Sequence, residues 1–320
     1  MQLVRQKGKL RAYRARAALA SLVVAALGSG CAAEGPPEAT RSARPAAETG
    51  AQRGPEAQQQ DARKAREAAG GGPARRGKAA LSQKARAAAA KKWGLKQTPL
   101  AAPPPPAVKP RITTRKGFEV TGGEGLPPVF TTVPTKEKIV FLTIDDGAEK
   151  DPELLRMMSD LRIPYSAFLS DYVINDDYGY FEKMRDSGVA LHNHTLNHPY
   201  LPGLSYSQQK REICGQQDKL EKRYGSRPRL MRPPYGNYNK DTLRVAKKCG
   251  IKAVPLWASE AFPDHMEWRE WDRDLHPGDI ILTHFRGEDE WEGSMPDMIR
   301  RVMKTVTEKG YAVARLEDYV

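Results

Sequence analysis

Downstream of Thr135 the apolar residues change spacing repeatedly, and that alternation limits the fold more than any other feature. KIVFLTI has the apolar run of a buried strand, and DPELLRMMSDL carries apolar residues at helical spacing. PYSAFLS, VALHNH, RLMRPPYG, KAVPLW, GDIILTHF and YAVARL read as further strands. DYGYFEKMRDSG, YSQQKREICGQQDKLEKRYG, NKDTLRVAKKCG and MPDMIRRVMKTVTEKG read as helices between them. A period that shifts between 2 and 3.6 at each boundary marks alternating strands and helices. That order predicts an α/β fold, a parallel sheet or barrel with helices outside. About seven strands in roughly 190 residues point to a small or incomplete barrel rather than a full eight-fold one.

The N-terminal part has another texture. The formal charge is +13, but residues 1–135 hold 24 Lys+Arg against 8 Asp+Glu, so the rest of the chain is slightly acidic. The basicity therefore does not belong to the part that carries the alternation. A nucleic-acid role is excluded on the same ground, since the basic stretch lacks the interleaved aromatics that stack on bases. RQKGKLRAYRAR followed by AALASLVVAALGSG has the layout of an export signal, with an apolar run too short for a comfortable membrane span. LGSGC is similar to a bacterial lipoprotein box, which would lipidate Cys31 and make a lipid anchor the one membrane contact; cleavage near CAAE would instead release a secreted protein. Residues 32–116, rich in Ala, Arg, Gln, Pro and Gly, cannot bury enough apolar surface to offset chain entropy. The expected organisation is a signal over 1–31, a disordered basic tether over 32–116 and a catalytic-type domain over 117–320. Cys214 and Cys249 either pair, as exported cysteines do, or remain buried thiols.

Reacting groups in such folds gather at the C-terminal ends of strands. Those ends carry Asp145-Asp146-Gly147, then His192, His194 and His198, then Arg232-Pro233-Pro234-Tyr235-Gly236, then Trp257 with Glu260, and finally Leu282-Thr283-His284. Singly, each has an ordinary explanation: Asp-Asp-Gly is a common turn, RPPYG a stiff one, and a lone histidine is usually structural. Their coincidence at every strand end points to a site. His194 and His198 are four apart, a spacing that lets two imidazoles meet one metal ion on a helical turn. With an aspartate they make a set suited to zinc or another divalent transition metal. His192 and His194 offer a competing H-x-H pair, and spacing alone does not choose.

TIDDG, HTLNHP, RPPYG and LTH, in that order, resemble the motif series of the NodB-type polysaccharide deacetylases, carbohydrate esterase family 4, over about residues 136–320. The resemblance implies an irregular (β/α) barrel and a divalent metal, Zn²⁺ foremost, held by Asp146, His194 and His198. It implies Asp145 as catalytic base, Arg232 as the residue that orients it and His284 as general acid. It places the Tyr235 backbone N–H at the oxyanion, and Trp257 and Leu282 around the acetyl methyl. His192 matches nothing functional. Three positions depart from the pattern: Ile144, Ala148 and Glu260, the last standing where the family often has an aspartate that tunes the acid histidine. The implied activity is removal of N-acetyl groups from an amino-sugar polymer, peptidoglycan first and chitin-like oligomers second. Acetyl-ester cleavage on xylan, a non-catalytic carbohydrate-binding module, and a metal amidohydrolase using His192 and His194 are the alternatives.

Overall fold

The structure is a computed structural model that describes residues 73–320. The candidate signal, Cys31 and the first part of the expected tether lie outside the described residues. In chain order the elements are α1 (Pro73–Lys92), β1 (Val129–Phe130), β2 (Ile139–Asp146), α2 (Pro152–Leu161), β3 (Ser166–Leu169), α3 (Asp171–Ile174), α4 (Tyr178–Asp186), β4 (Ala190–Asn193), α5 (Tyr206–Tyr224), α6 (Lys240–Lys248), β5 (Val254–Pro255), β6 (Ser259–Ala261), β7 (Met266–Trp268), β8 (Ile280–His284), α7 (Met295–Glu308) and β9 (Ala312–Val313).

The expected α/β alternation is present. One sheet runs β4-β3-β2-β8-β6-β7, with β9 also on β2, and a second pairs β1 with β5. All pairs are parallel except β6–β7. No closed barrel forms among the described residues. Among the described residues, isolated bridges link the two sheets: Asn193 to Met231 and Leu230 to Ala253 on one side, and Thr132 to Asp279 on the other.

Period two along β2 sorts its side chains into two layers. Val140, Leu142 and Ile144 pack among the helices with Leu154, Ile299 and Val302. Ile139 and Phe141 face the interior with Phe168 and Ile280. Thr143 and Asp145 continue that inner column, so the first aspartate of Asp-Asp-Gly sits at the top of the core. The helices are stopped by ordinary chemistry. Asp151 caps α2 through the Glu153 N–H, and Ser205 with Gln208 and Ser294 with Asp297 form capping boxes on α5 and α7.

Residues 89–112 make packing contacts that a free tether would not. Their alanines supply a packing face: Ala89 and Ala90 are buried in α1, and Trp93 is 8% exposed. Trp93 donates through Nε1 to Asp160 at 2.8 Å, and its carbonyl accepts from Arg300 at 2.9 Å. Ala102 and Ile112 pack against the inner core. Composition alone concealed this, because a helix whose buried face is alanine shows little apolar contrast. Cys214 of α5 and Cys249, the residue that ends α6, are joined by a disulfide across 35 residues of sequence.

Candidate metal centre and its surroundings

Strand register assembles the site. Asp145 stands opposite Phe168 of β3 on one side and His284 of β8 on the other. Asp146, one residue further, turns away at φ 77°, and Gly147 follows at φ 101°. A side chain at Gly147 would meet Ile174 at 2.4 Å, so the turn needs glycine both for its backbone and for space. Of six non-glycine residues with positive φ among the described ones, four lie here: Asp146, Thr195, His198 and Tyr235. Backbone held in that region costs of order 1–3 kcal/mol per residue and persists where the surroundings dictate it.

The structure brings Asp146, His194 and His198 together, with their ligand atoms within 4.8 Å of one another. Asp146 Oδ1 is 3.4 Å from Nε2 of each histidine. The histidines do not meet on a helical turn, as the four-residue spacing suggested. They lie on a loop after β4, bent by the left-handed residues Thr195 and His198. His194 Nδ1 lies 2.6 Å from the carbonyl of Arg232 and must donate to it, which leaves Nε2 as a lone-pair donor facing Asp146. Asp146 Oδ1 is buried and has no hydrogen-bond partner. A buried carboxylate oxygen without a donor is costly unless a cation completes it. Two imidazole nitrogens and one carboxylate oxygen fit a divalent transition metal.

Asp145 is adjacent, 2% exposed, with Oδ1 bound to Arg232 Nη1 at 2.7 Å and Oδ2 3.7 Å from His194 Nε2. Arg232 is wholly buried and also donates to Thr143 Oγ1 and to the carbonyls of Pro255 and Leu256. Phe168 lies 4.4 Å under its guanidinium and Trp257 5.9 Å away. Gly236 lets that corner close: a side chain there would come within 3.0 Å of Trp257. Leu282 is buried in β8 beside Thr143 and Glu260. Tyr235 exposes its side chain, and its ring lies 4.6 Å from that of His198.

His284 Nδ1 is 3.4 Å from Glu260 Oε1. Burial, with Glu267 and Asp145 nearby, pushes the Glu260 carboxyl up to about 7. Burial also lowers the His284 imidazole, against the pull of Asp146 and Asp145. Burial and the neighbouring His194 bring His198 down to about 4. Burial opposes protonation of His194, but the Asp145 and Asp146 carboxylates outweigh it and raise this imidazole.

His192 is elsewhere. Its Nε2 pairs with Glu317 at 2.9 Å and its ring packs on Phe168 at 5.1 Å. Ser166 binds the same carboxylate oxygen at 2.6 Å. The H-x-H pairing is therefore not assembled. One neighbour of the triad gave no signal in the sequence: Arg286, whose Nη2 is 2.7 Å from Asp146 Oδ2 and whose Nη1 pairs with Glu290.

Residues 132–254 match the family model described as polysaccharide deacetylase. Over 199 residues the chain is 41% identical to an uncharacterized protein of Streptomyces coelicolor, an alignment covering 62% of this chain and 79% of that one. It is 28% identical over 196 residues to the peptidoglycan-N-acetylmuramic acid deacetylase PdaA of Bacillus subtilis, covering 58% and 72%. A crystal structure described as a carbohydrate esterase family 4 pseudoenzyme from Bacillus anthracis superposes with a TM-score of 0.52 at 20% identity, over 60% of this chain and 69% of that one. The fold and the match over residues 132–254 are those of a NodB-type domain. The chain belongs to the polysaccharide deacetylase family, carbohydrate esterase family 4. A pseudoenzyme shares the fold, so the case for activity rests on the site residues.

Proposed function

We propose that this protein is a metal-dependent N-deacetylase that removes acetyl groups from an amino-sugar polymer, with peptidoglycan as the favoured substrate and chitin-like oligomers second. The observation that carries the reading is the buried, unpartnered Asp146 Oδ1 between two imidazole nitrogens, beside an aspartate that Arg232 clamps by one oxygen only. Asp146, His194 and His198 would hold the metal, which, when bound, polarises the acetyl carbonyl and makes water a better nucleophile.

The other groups divide the proton work. Asp145 Oδ2, free while Oδ1 is held, accepts a proton from water as its oxygen attacks the acetyl carbon. The Tyr235 backbone N–H donates to the oxygen that gains charge. Trp257 and Leu282 wall the space for the acetyl methyl. His284 gives a proton to the departing nitrogen as the carbon–nitrogen bond breaks, yielding acetate and a free amine. Glu260 is placed to support the protonated form of His284, in the role the family usually gives to an aspartate.

Similarity to the Bacillus subtilis muramic acid deacetylase supports peptidoglycan as the substrate. The Cys214–Cys249 disulfide supports an oxidising compartment, in keeping with export as a secreted protein or a lipid-anchored one. The test is acetate release by the metal-stripped protein, with and without added zinc, from peptidoglycan, N-acetylglucosamine oligomers and acetylxylan. Zinc-dependent release from the first two supports the reading. Release from acetylxylan alone moves the assignment to ester cleavage, and release from none contradicts it.

A further inference from the structure

We propose that Arg286 is a positioning residue for the metal centre: it holds Asp146 by Oδ2 so that Oδ1 alone is presented to the ion. The inference rests on the metal reading above, and concerns how the ligand is aimed rather than which residues ligate.

The two neighbouring aspartates are held in the same way from opposite sides. Arg232 takes Asp145 Oδ1 at 2.7 Å, and Arg286 takes Asp146 Oδ2 at 2.7 Å. Each carboxylate keeps its other oxygen free, and both free oxygens face His194 Nε2, at 3.7 Å from Asp145 and 3.4 Å from Asp146. A carboxylate left to itself can rotate about its last bond and offer a metal either oxygen or both. Binding one oxygen to a guanidinium removes that freedom and favours ligation through one oxygen.

Arg286 is also held in place, which separates it from an incidental surface pair. Its own N–H donates to the His284 carbonyl at 3.1 Å. The residue before it, Phe285, donates to the Asp145 carbonyl at 3.0 Å and accepts from the Glu149 N–H at 3.0 Å. The segment after β8 is thus fastened to the turn after β2 on both sides of Asp146. The Arg286–Asp146 bond has one nearly buried partner, Asp146 at 3% exposure, against 28% for Arg286. The Arg286–Glu290 pair is more open, with Glu290 52% exposed, and contributes correspondingly little. Groups that bond a metal ligand from behind typically govern affinity or activity by 10–100-fold.

The experiment measures the zinc dissociation constant of the purified full chain by competition with a chelating dye, for the native protein, Arg286→Met, Arg286→Lys and Glu290→Gln. Arg286→Met is expected to bind zinc about 10–100-fold more weakly. Arg286→Lys, a single ammonium in place of a fork, is expected to fall between it and the native protein. Glu290→Gln is expected to stay close to native. Native-like affinity in Arg286→Met overturns the proposal, as does an equal loss in Glu290→Gln, which would assign the effect to the loop. Should Arg286→Met fail to fold, Arg286→Lys decides, and native affinity there overturns it. A native protein that binds no zinc removes both this inference and the metal reading beneath it. Zinc binding that depends on Arg286, without acetate release from any substrate, supports the inference and rejects the proposed activity.

Discussion

Arg232 and Asp145 form an ion pair inside the core, with Nη1 2.7 Å from Oδ1 and side chains 0% and 2% exposed. Thr143 and two backbone carbonyls take further guanidinium donors, so the cation is largely satisfied where water cannot reach. A buried pair of this kind adds little over an apolar substitute, but removing one partner strands the other. Arg232→Met is therefore expected to lose about 3–5 kcal/mol of stability, read from denaturant unfolding. A loss under 1 kcal/mol would mean that Asp145 does not depend on this arginine.

Glu260 gives a pH-dependent expectation. Its carboxyl is about 7 in the folded protein against 4.5 ordinarily. The unfolded chain therefore releases this proton first, and between those values stability falls as pH rises. Glu260→Gln should stabilise the metal-free protein little at pH 4.5 and by up to about 3 kcal/mol at pH 8, with the full amount reduced by partial solvation. Thermal unfolding of both proteins at the two pH values checks this; an equal difference at both contradicts it. In the active protein the same substitution should move the alkaline limb of the rate profile to lower pH, because an ionised Glu260 favours protonated His284.

The segment before Gly117 is expected to matter for stability. Residues 117–320 alone would lose the Trp93 contacts with Asp160 and Arg300 and the cover that Ala102 and Ile112 give the inner core. Trp93→Ala should cost roughly 3 kcal/mol, within the range for removing a buried aromatic. The shortened chain should melt below the full one. Equal melting temperatures would show that the segment is only a tether.

His192 should be separable from the chemistry. Its bond to the Glu317 carboxylate lies away from the triad. His192→Leu is expected to lose about 1–3 kcal/mol of stability, by removing one of the two donors to the buried Glu317 carboxylate oxygen and leaving Ser166 alone on it, while keeping zinc affinity. Loss of zinc binding in a folded variant would revive the H-x-H pairing.

Much of this arrangement is readable in the sequence because it depends on local patterns. The strand-like run ending at Asp145-Asp146 gave β2, and its alternation fixes which aspartate points inward. The motifs at successive strand ends share a rim because parallel register puts Asp145 opposite His284. Long-range or conformational features were not readable. Arg286 reaches Asp146 across 140 residues, and nothing around it in GEDEWEG marks it as a partner of the site. The approach of His194 and His198 depends on two left-handed residues that no spacing rule anticipates. Alanine packing in α1 was hidden by a composition that suits disorder equally well. Cysteine count alone left Cys214 and Cys249 between pair and thiols, since pairing depends on how α5 and α6 meet.

The most direct test of the central claim is to measure zinc content and acetate release together for the native protein and Asp145→Asn. Asp146, His194 and His198 would hold the metal, and Asp145 would take the proton. The variant should therefore keep its zinc and release acetate about 10²–10⁴-fold more slowly. Retained activity, or zinc lost in step with activity, would contradict that division of labour.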